Sequence, residues 1–176
     1  MAKFGIQATM EKEREYQKLL QTLKVTDTPS FERLEEEIDI VYHKLKFISI
    51  ESRPRVTLVS NIRELSQDFS ALTQEALEIG GGIWQSITDI RHAEKIIVVQ
   101  RDEQLYSDLP VVLQDDALAQ SPAAVNNEIY VIQHEVLEDT SANGFLKQVE
   151  VFAEIVQSKY FIYGHQGQDW VQFDLR

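Results

Sequence analysis

Few residues of this chain are of a type and spacing that could do chemistry. There is no cysteine, so thiolate nucleophiles, thiolate metal ligands and disulfides are excluded. The histidines His43, His92, His134 and His165 contain no pair at the i, i+4 spacing of a helical zinc site, and no metal site is expected. A serine hydrolase needs its nucleophile on a strand-to-helix elbow, and Gly-x-Ser-x-Gly does not occur. Asp115-Asp116 reads as part of a loop without a matched acid or base. Gly80-Gly81-Gly82 follows a helix instead of preceding one, and no Lys or Arg comes next. These glycines read as a helix cap and tight turn, not a phosphate cradle. No cofactor motif and no catalytic set emerge, so the chain reads as a non-enzyme.

What remains is binding. In parallel α/β sheets ligands settle beyond the carboxyl ends of the strands. Those positions are Ser60-Asn61, Gln100-Arg101 and Gln133-His134, with Trp84 nearby. Arg101 is the only cation in the set. The candidate ligand-binding residues are therefore Asn61, Trp84, Arg101 and His134. Trp84 either fills the core or stacks on a ligand, and His134 either faces a cleft or is a hydrogen-bonded loop histidine.

The elements that must position these residues follow from periodicity. Residues 7–24 predict a helix with Tyr16, Leu19, Leu20 and Leu23 on one stripe. Asp27 or Thr28 caps a second helix with Pro29 in its first turn; Phe31, Leu34, Ile38, Val41 and Leu45 form its apolar face, and Glu32, Glu35, Glu36, Glu37 and Asp39 its solvated one. Val56–Val59, Lys95–Val99 and Glu128–Ile132 read as short strands, and Lys95–Val99 is a nearly continuous apolar run, as expected of a strand buried on both faces. Between them fall a helix over 67–79 and a short helix within 102–113, with 115–125 irregular. Asn143-Gly144 suits a positive-φ turn before a helix over 145–160, and Trp170–Phe173 alternates as an edge strand. The predicted fold is a single α/β domain over 1–176. It is a three-layer sandwich with a mostly parallel short-stranded sheet over 53–176 and a leading helical pair over 7–48.

The net charge of −12 repels phosphate backbones and anionic lipid, so neither nucleic acid nor a membrane surface is an expected partner. No run approaches the roughly 20 apolar residues of a membrane helix. No signal segment is visible; the chain as it stands reads as cytoplasmic, and as periplasmic if a leader was removed.

The order of parts adds a resemblance. Two helices, then Arg53-Pro54-Arg55-Val56, a helix ending in Gly-Gly, Lys95–Val99, Pro122–Ile132, a long helix and Phe161–Phe173 together resemble the C-terminal lobe of the helical-backbone substrate-binding proteins of cobalamin and iron–siderophore ABC importers. The resemblance spans roughly residues 10–175. It implies a lobe that closes on a ligand against a second lobe, which nothing before residue 10 supplies. Thr140–Gly144 stands where that family often carries an Arg-Pro-Gly-Pro-Arg-like run, and no arginine is present. The segment between Gly82 and Lys95, where the family carries a permease-docking glutamate, is also short. Two functions follow as expectations. One is a stand-alone binding module for a cobalamin- or siderophore-like small molecule. The other is an interaction module that covers the exposed inter-lobe face in a homodimer or with a partner protein.

Overall fold

The computed structural model describes residues 14–175. The amino-terminal part of the helix expected over 7–24 lies outside the described residues; helix α1 spans Glu15–Thr26. Its first amides are held from elsewhere in the chain: the Glu75 carboxylate accepts from the N–H of Glu15 at 2.9 Å and of Tyr16 at 2.8 Å. Helix α2, Thr28–Leu45, starts at Asp27, whose carboxylate accepts from the Ser30 amide at 3.2 Å. Leu34, Ile38, Val41 and Leu45 are buried, as their spacing requires.

Strand β1 is Arg55–Val59, and helix α3 is Ala71–Ile79. The predicted start at 67 is corrected: Ser70 caps α3 by accepting from Thr73 N at 3.2 Å, so 67–70 is a lead-in. Gln67 pins that lead-in, donating to the carbonyls of Leu58 at 3.2 Å and Gln85 at 3.0 Å and accepting from Ile87 N. After Gly80–Gly82 comes a two-residue strand, β2, Ile83–Trp84, which periodicity was too short to reveal. Strand β3 is Lys95–Gln100. Helix α4 is Leu105–Val112, and the expected irregular stretch after it contains two single-turn helices, α5 (Asp116–Ala119) and α6 (Pro122–Val125). Asp115 and Ser121 side chains cap them. Strand β4 is Ile129–Gln133, α7 is Glu135–Glu138, α8 is Ala142–Val156, and β5 is Trp170–Gln172.

Asn143-Gly144 is inside α8, not in a turn before it; Ser141 is the cap. Gly144 is required for a different reason. A Cβ there would stand 2.1 Å from the carbonyl oxygen of Asp139, so only glycine lets the preceding loop fold back onto the helix.

The sheet order is β2-β1-β3-β4-β5, with the first four strands parallel and β5 antiparallel on β4. The fold is thus α/β with a mostly parallel five-stranded sheet, as the sequence reading expected. On one face, Val56, Leu58, Ile97, Val99, Tyr130 and Ile132 pack with α3 and α8, over which α1 and α2 lie as an outer layer. On the other, Ile96, Val98, Ile129 and Val131 pack against α4, α5 and α6. Burial on both faces accounts for the continuous apolar runs of β3 and β4.

Candidate functional site

Strand order decides where a crevice opens. The chain leaves β1 for β2 on one side through α3, then crosses back to place β3 on the other side of β1. Beyond the carboxyl ends of β1 and β3 the connections therefore diverge, and this reversal is where α/β sheets bind ligands. A hollow of about 280 Å³ lies there, lined by Ser60–Glu64 after β1, by Val99 in β3, and by Arg101, Asp102, Gln104, Leu105 and Asp108 after it.

Each wall is built by local hydrogen bonds. Asn61 turns the chain after β1: its Oδ1 accepts from the amides of Arg63 at 3.0 Å and Glu64 at 3.1 Å. Ser60 Oγ meets Ser66 Oγ at 3.1 Å and accepts from Asp68 N at 3.0 Å. On the other wall, Asp102 Oδ1 accepts from Gln104 N at 3.1 Å and leads into α4. Arg63 closes the rim by donating to Asp108 on α4 at 2.6 Å, and this bond raises the already high guanidinium pKa. One cation of the hollow is thereby spent. Arg101 makes no ion pair among the described residues, and the Asn61 amide nitrogen has no partner among them either. The hollow thus offers one uncommitted guanidinium and one amide donor, beside the carboxylates of Glu64 and Asp102. That set can hold an anionic group and accept from a hydroxyl or ammonium of the same molecule.

The structure brings together two of the four predicted residues, Asn61 and Arg101. Trp84 is set apart on β2, opposite Val56 in register, and meets Phe69 edge-on at 6.2 Å between ring centroids. It packs against the core on the α3 side. His134 lies beyond β4, where its Nδ1 is 3.2 Å from the Gln100 carbonyl and 3.2 Å from Glu135, and its Nε2 is 3.5 Å from Glu138. Sequence reasoning missed Arg63, Asp102 and Asp108. Arg63 and Asp108 are 45 positions apart, and no local pattern marks such a pair.

A second polar cluster, which shares no residue with this hollow, joins α8 to the segment before β5. Glu154 of α8 is 4% exposed, and its carboxylate accepts from the backbone N–H of Tyr163, Gly164 and His165 and from Trp170 Nε1. Burial opposes its ionisation, yet the four donors prevail and hold the carboxyl below its usual range. Alongside, His165 Nδ1 is 2.8 Å from Asp169 and Nε2 is 2.7 Å from Glu150, with Lys147 2.8 Å from Asp169. Burial would raise the Asp169 carboxyl too, but the bonds from Lys147 and His165 lower it. The cluster pins the chain between α8 and β5. Among the described residues no group of three or more His, Asp or Glu side chains is arranged to hold a metal ion. Nor is any helix long and apolar enough to cross a membrane.

No family model matches the chain, and neither does any curated protein. Among solved structures it is similar to an ABC transporter solute binding protein from Sulfurospirillum deleyianum DSM 6946, with a TM-score of 0.62 and 15% identity over 86% of this chain. The chain spans 54% of that protein's length. At that identity the likeness is one of fold: the α/β architecture described above is shared with part of that protein.

Proposed function

We propose that the chain is a non-catalytic binding module, corresponding to one lobe of a helical-backbone solute-binding protein, that takes a small polar molecule at the β1/β3 hollow. The observation that carries this reading is that Arg101, which makes no ion pair among the described residues, and Asn61 line the same hollow of about 280 Å³ at the strand-order reversal. The span over little more than half of the structural neighbour supports the one-lobe part of the proposal. The chemistry of the lining narrows the ligand to one with an anionic group for Arg101 and hydroxyl or ammonium donors for Glu64 or Asp102. A hollow of this size is at the low end for small-molecule sites. It would seat a compact hydroxycarboxylate whole, and only the polar edge of a ferric siderophore or cobalamin. One lobe buries only part of a large ligand, so affinity is expected to be weak.

Calorimetry tests this with four probes: citrate, inorganic phosphate, a ferric hydroxycarboxylate siderophore and cyanocobalamin. Binding of at least one at millimolar concentration or below, abolished by Arg101→Ala, is expected. No heat with any probe, or heat that survives Arg101→Ala, overturns the reading.

A further inference from the structure

Helix α2 buries one face and presents another that is divided by charge along its length. The exposed stripe runs Glu32, Glu36, Ile40, His43 and Phe47, at steps of three and four, opposite the buried Leu34, Ile38, Val41 and Leu45. Toward the amino end it is flanked by Arg33, Glu35 and Asp39; toward the carboxyl end by Lys44 and Lys46, all exposed. Ile40, near the middle, is 43% exposed, and Phe47, just past the end, is 82% exposed. Among the described residues none of Glu32, Glu35, Glu36 and Asp39 takes part in an ion pair. Lys44 and Lys46 make none either: Lys44 lies over the Phe161 ring at 5.1 Å, and Lys46 over Phe47 at 4.9 Å. The helix dipole favours acids in the first turn and bases in the last. It gives no reason for the acids at 35, 36 and 39, which lie in the body of the helix, nor for apolar side chains at 40 and 47.

A helix face that is mostly acidic before Ile40 and basic after it complements its own copy over residues 33–47 when the copy is turned end for end. We propose that this face binds a second copy of the chain, with the two α2 helices antiparallel about a two-fold axis close to Ile40. Such an axis makes each contact occur twice. The two Ile40 side chains meet at the axis. Glu36 and Lys44 are each one turn from Ile40 in opposite directions, so each Glu36 faces Lys44 of the partner subunit. Arg33 and Phe47 are each two turns away, which lays the guanidinium on the partner's exposed ring. The charge of −12 on each copy opposes association at long range. Salt screens that repulsion beyond about 8 Å at physiological ionic strength while close pairs persist. The inference does not rest on the ligand reading, since α2 lies on the outer layer and lines no part of the β1/β3 hollow.

Sedimentation velocity across micromolar to near-millimolar protein tests it with reciprocal charge swaps. The wild type is expected to show a reversible monomer–dimer equilibrium. Glu36→Lys and Lys44→Glu should each weaken it by about tenfold or more, because each places two like-charged pairs at the axis. The double variant, Glu36→Lys with Lys44→Glu, should return it to within about threefold of wild type, a rescue that only an antiparallel self-complementary contact explains. Both side chains, Glu36 and Lys44, are exposed, and circular dichroism checks that each variant is folded. A wild type that stays monomeric throughout, or a double variant no better than the single ones, overturns the proposal.

Discussion

Glu154 and Arg101 are the charged side chains at the centre of the two polar clusters described here, and the clusters differ in what is left over. Around Glu154 every strong group is used: three backbone amides and an indole N–H converge on one carboxylate, and His165 is bracketed by Asp169 and Glu150. Around the β1/β3 hollow the backbone is equally well held, by Asn61 and Ser60, but Arg101 and the Asn61 amide are unspent. Buried polar groups are satisfied because leaving them unpaired costs free energy. A cluster that satisfies itself holds the fold; the exposed donors at the strand-order reversal are free to meet solvent or, under the proposed function, a ligand.

The largest expected effect lies in the closed cluster. Glu154→Ala leaves the buried Trp170 indole N–H and three partly buried backbone N–H donors without their acceptor, and should cost about 3 kcal/mol or more by chemical denaturation. That corresponds to a Tm drop of roughly 6–12 °C for a chain of this size. A loss below about 1 kcal/mol would break the contrast between the clusters. Next is Gly144→Ala, whose Cβ has backbone in its way at 2.1 Å. It should cost about 2 kcal/mol, read from the same denaturation curves.

The pH dependence sharpens the same comparison. The folded-state pKa of Glu154 is lowered, so its contribution is fully present above the unfolded carboxyl value and is lost as pH falls through the folded one. Wild-type stability should therefore decline below about pH 4.5, and Glu154→Gln should flatten that decline while being less stable at neutral pH. An unchanged acid limb in Glu154→Gln would remove the carboxylate from the account. The smallest effect belongs to the open cluster: Arg101→Ala should change stability by less than about 0.5 kcal/mol, since the side chain is exposed and makes no ion pair among the described residues.

The parts of this arrangement differ in how legible they are from sequence. The strands β3 and β4 show in the runs Lys95–Val99 and Glu128–Ile132 because burial on both faces demands uninterrupted apolar residues. Helix α2 shows because one of its faces is solvated. Strand β2 does not, since two residues carry no period, and the short helices at 116–119 and 122–125 are set by caps rather than by stripes. Asn61 and Arg101 could be placed at a site because each directly follows an identifiable strand. Trp84 follows no strand identifiable from sequence, and the register puts it beside Val56 and against Phe69. Arg63 with Asp108, and Glu154 with its donors, depend on segments that meet only in three dimensions.

The central claim is that the unspent donors at the β1/β3 reversal form the ligand site, and amide chemical-shift mapping during a citrate titration tests it most directly. The account predicts saturable shifts concentrated at residues 60–64 and 101–105, with the amides of 163–165 unmoved and the response lost in Arg101→Ala. Shifts that never saturate at millimolar citrate, or that map to another part of the chain, would contradict it.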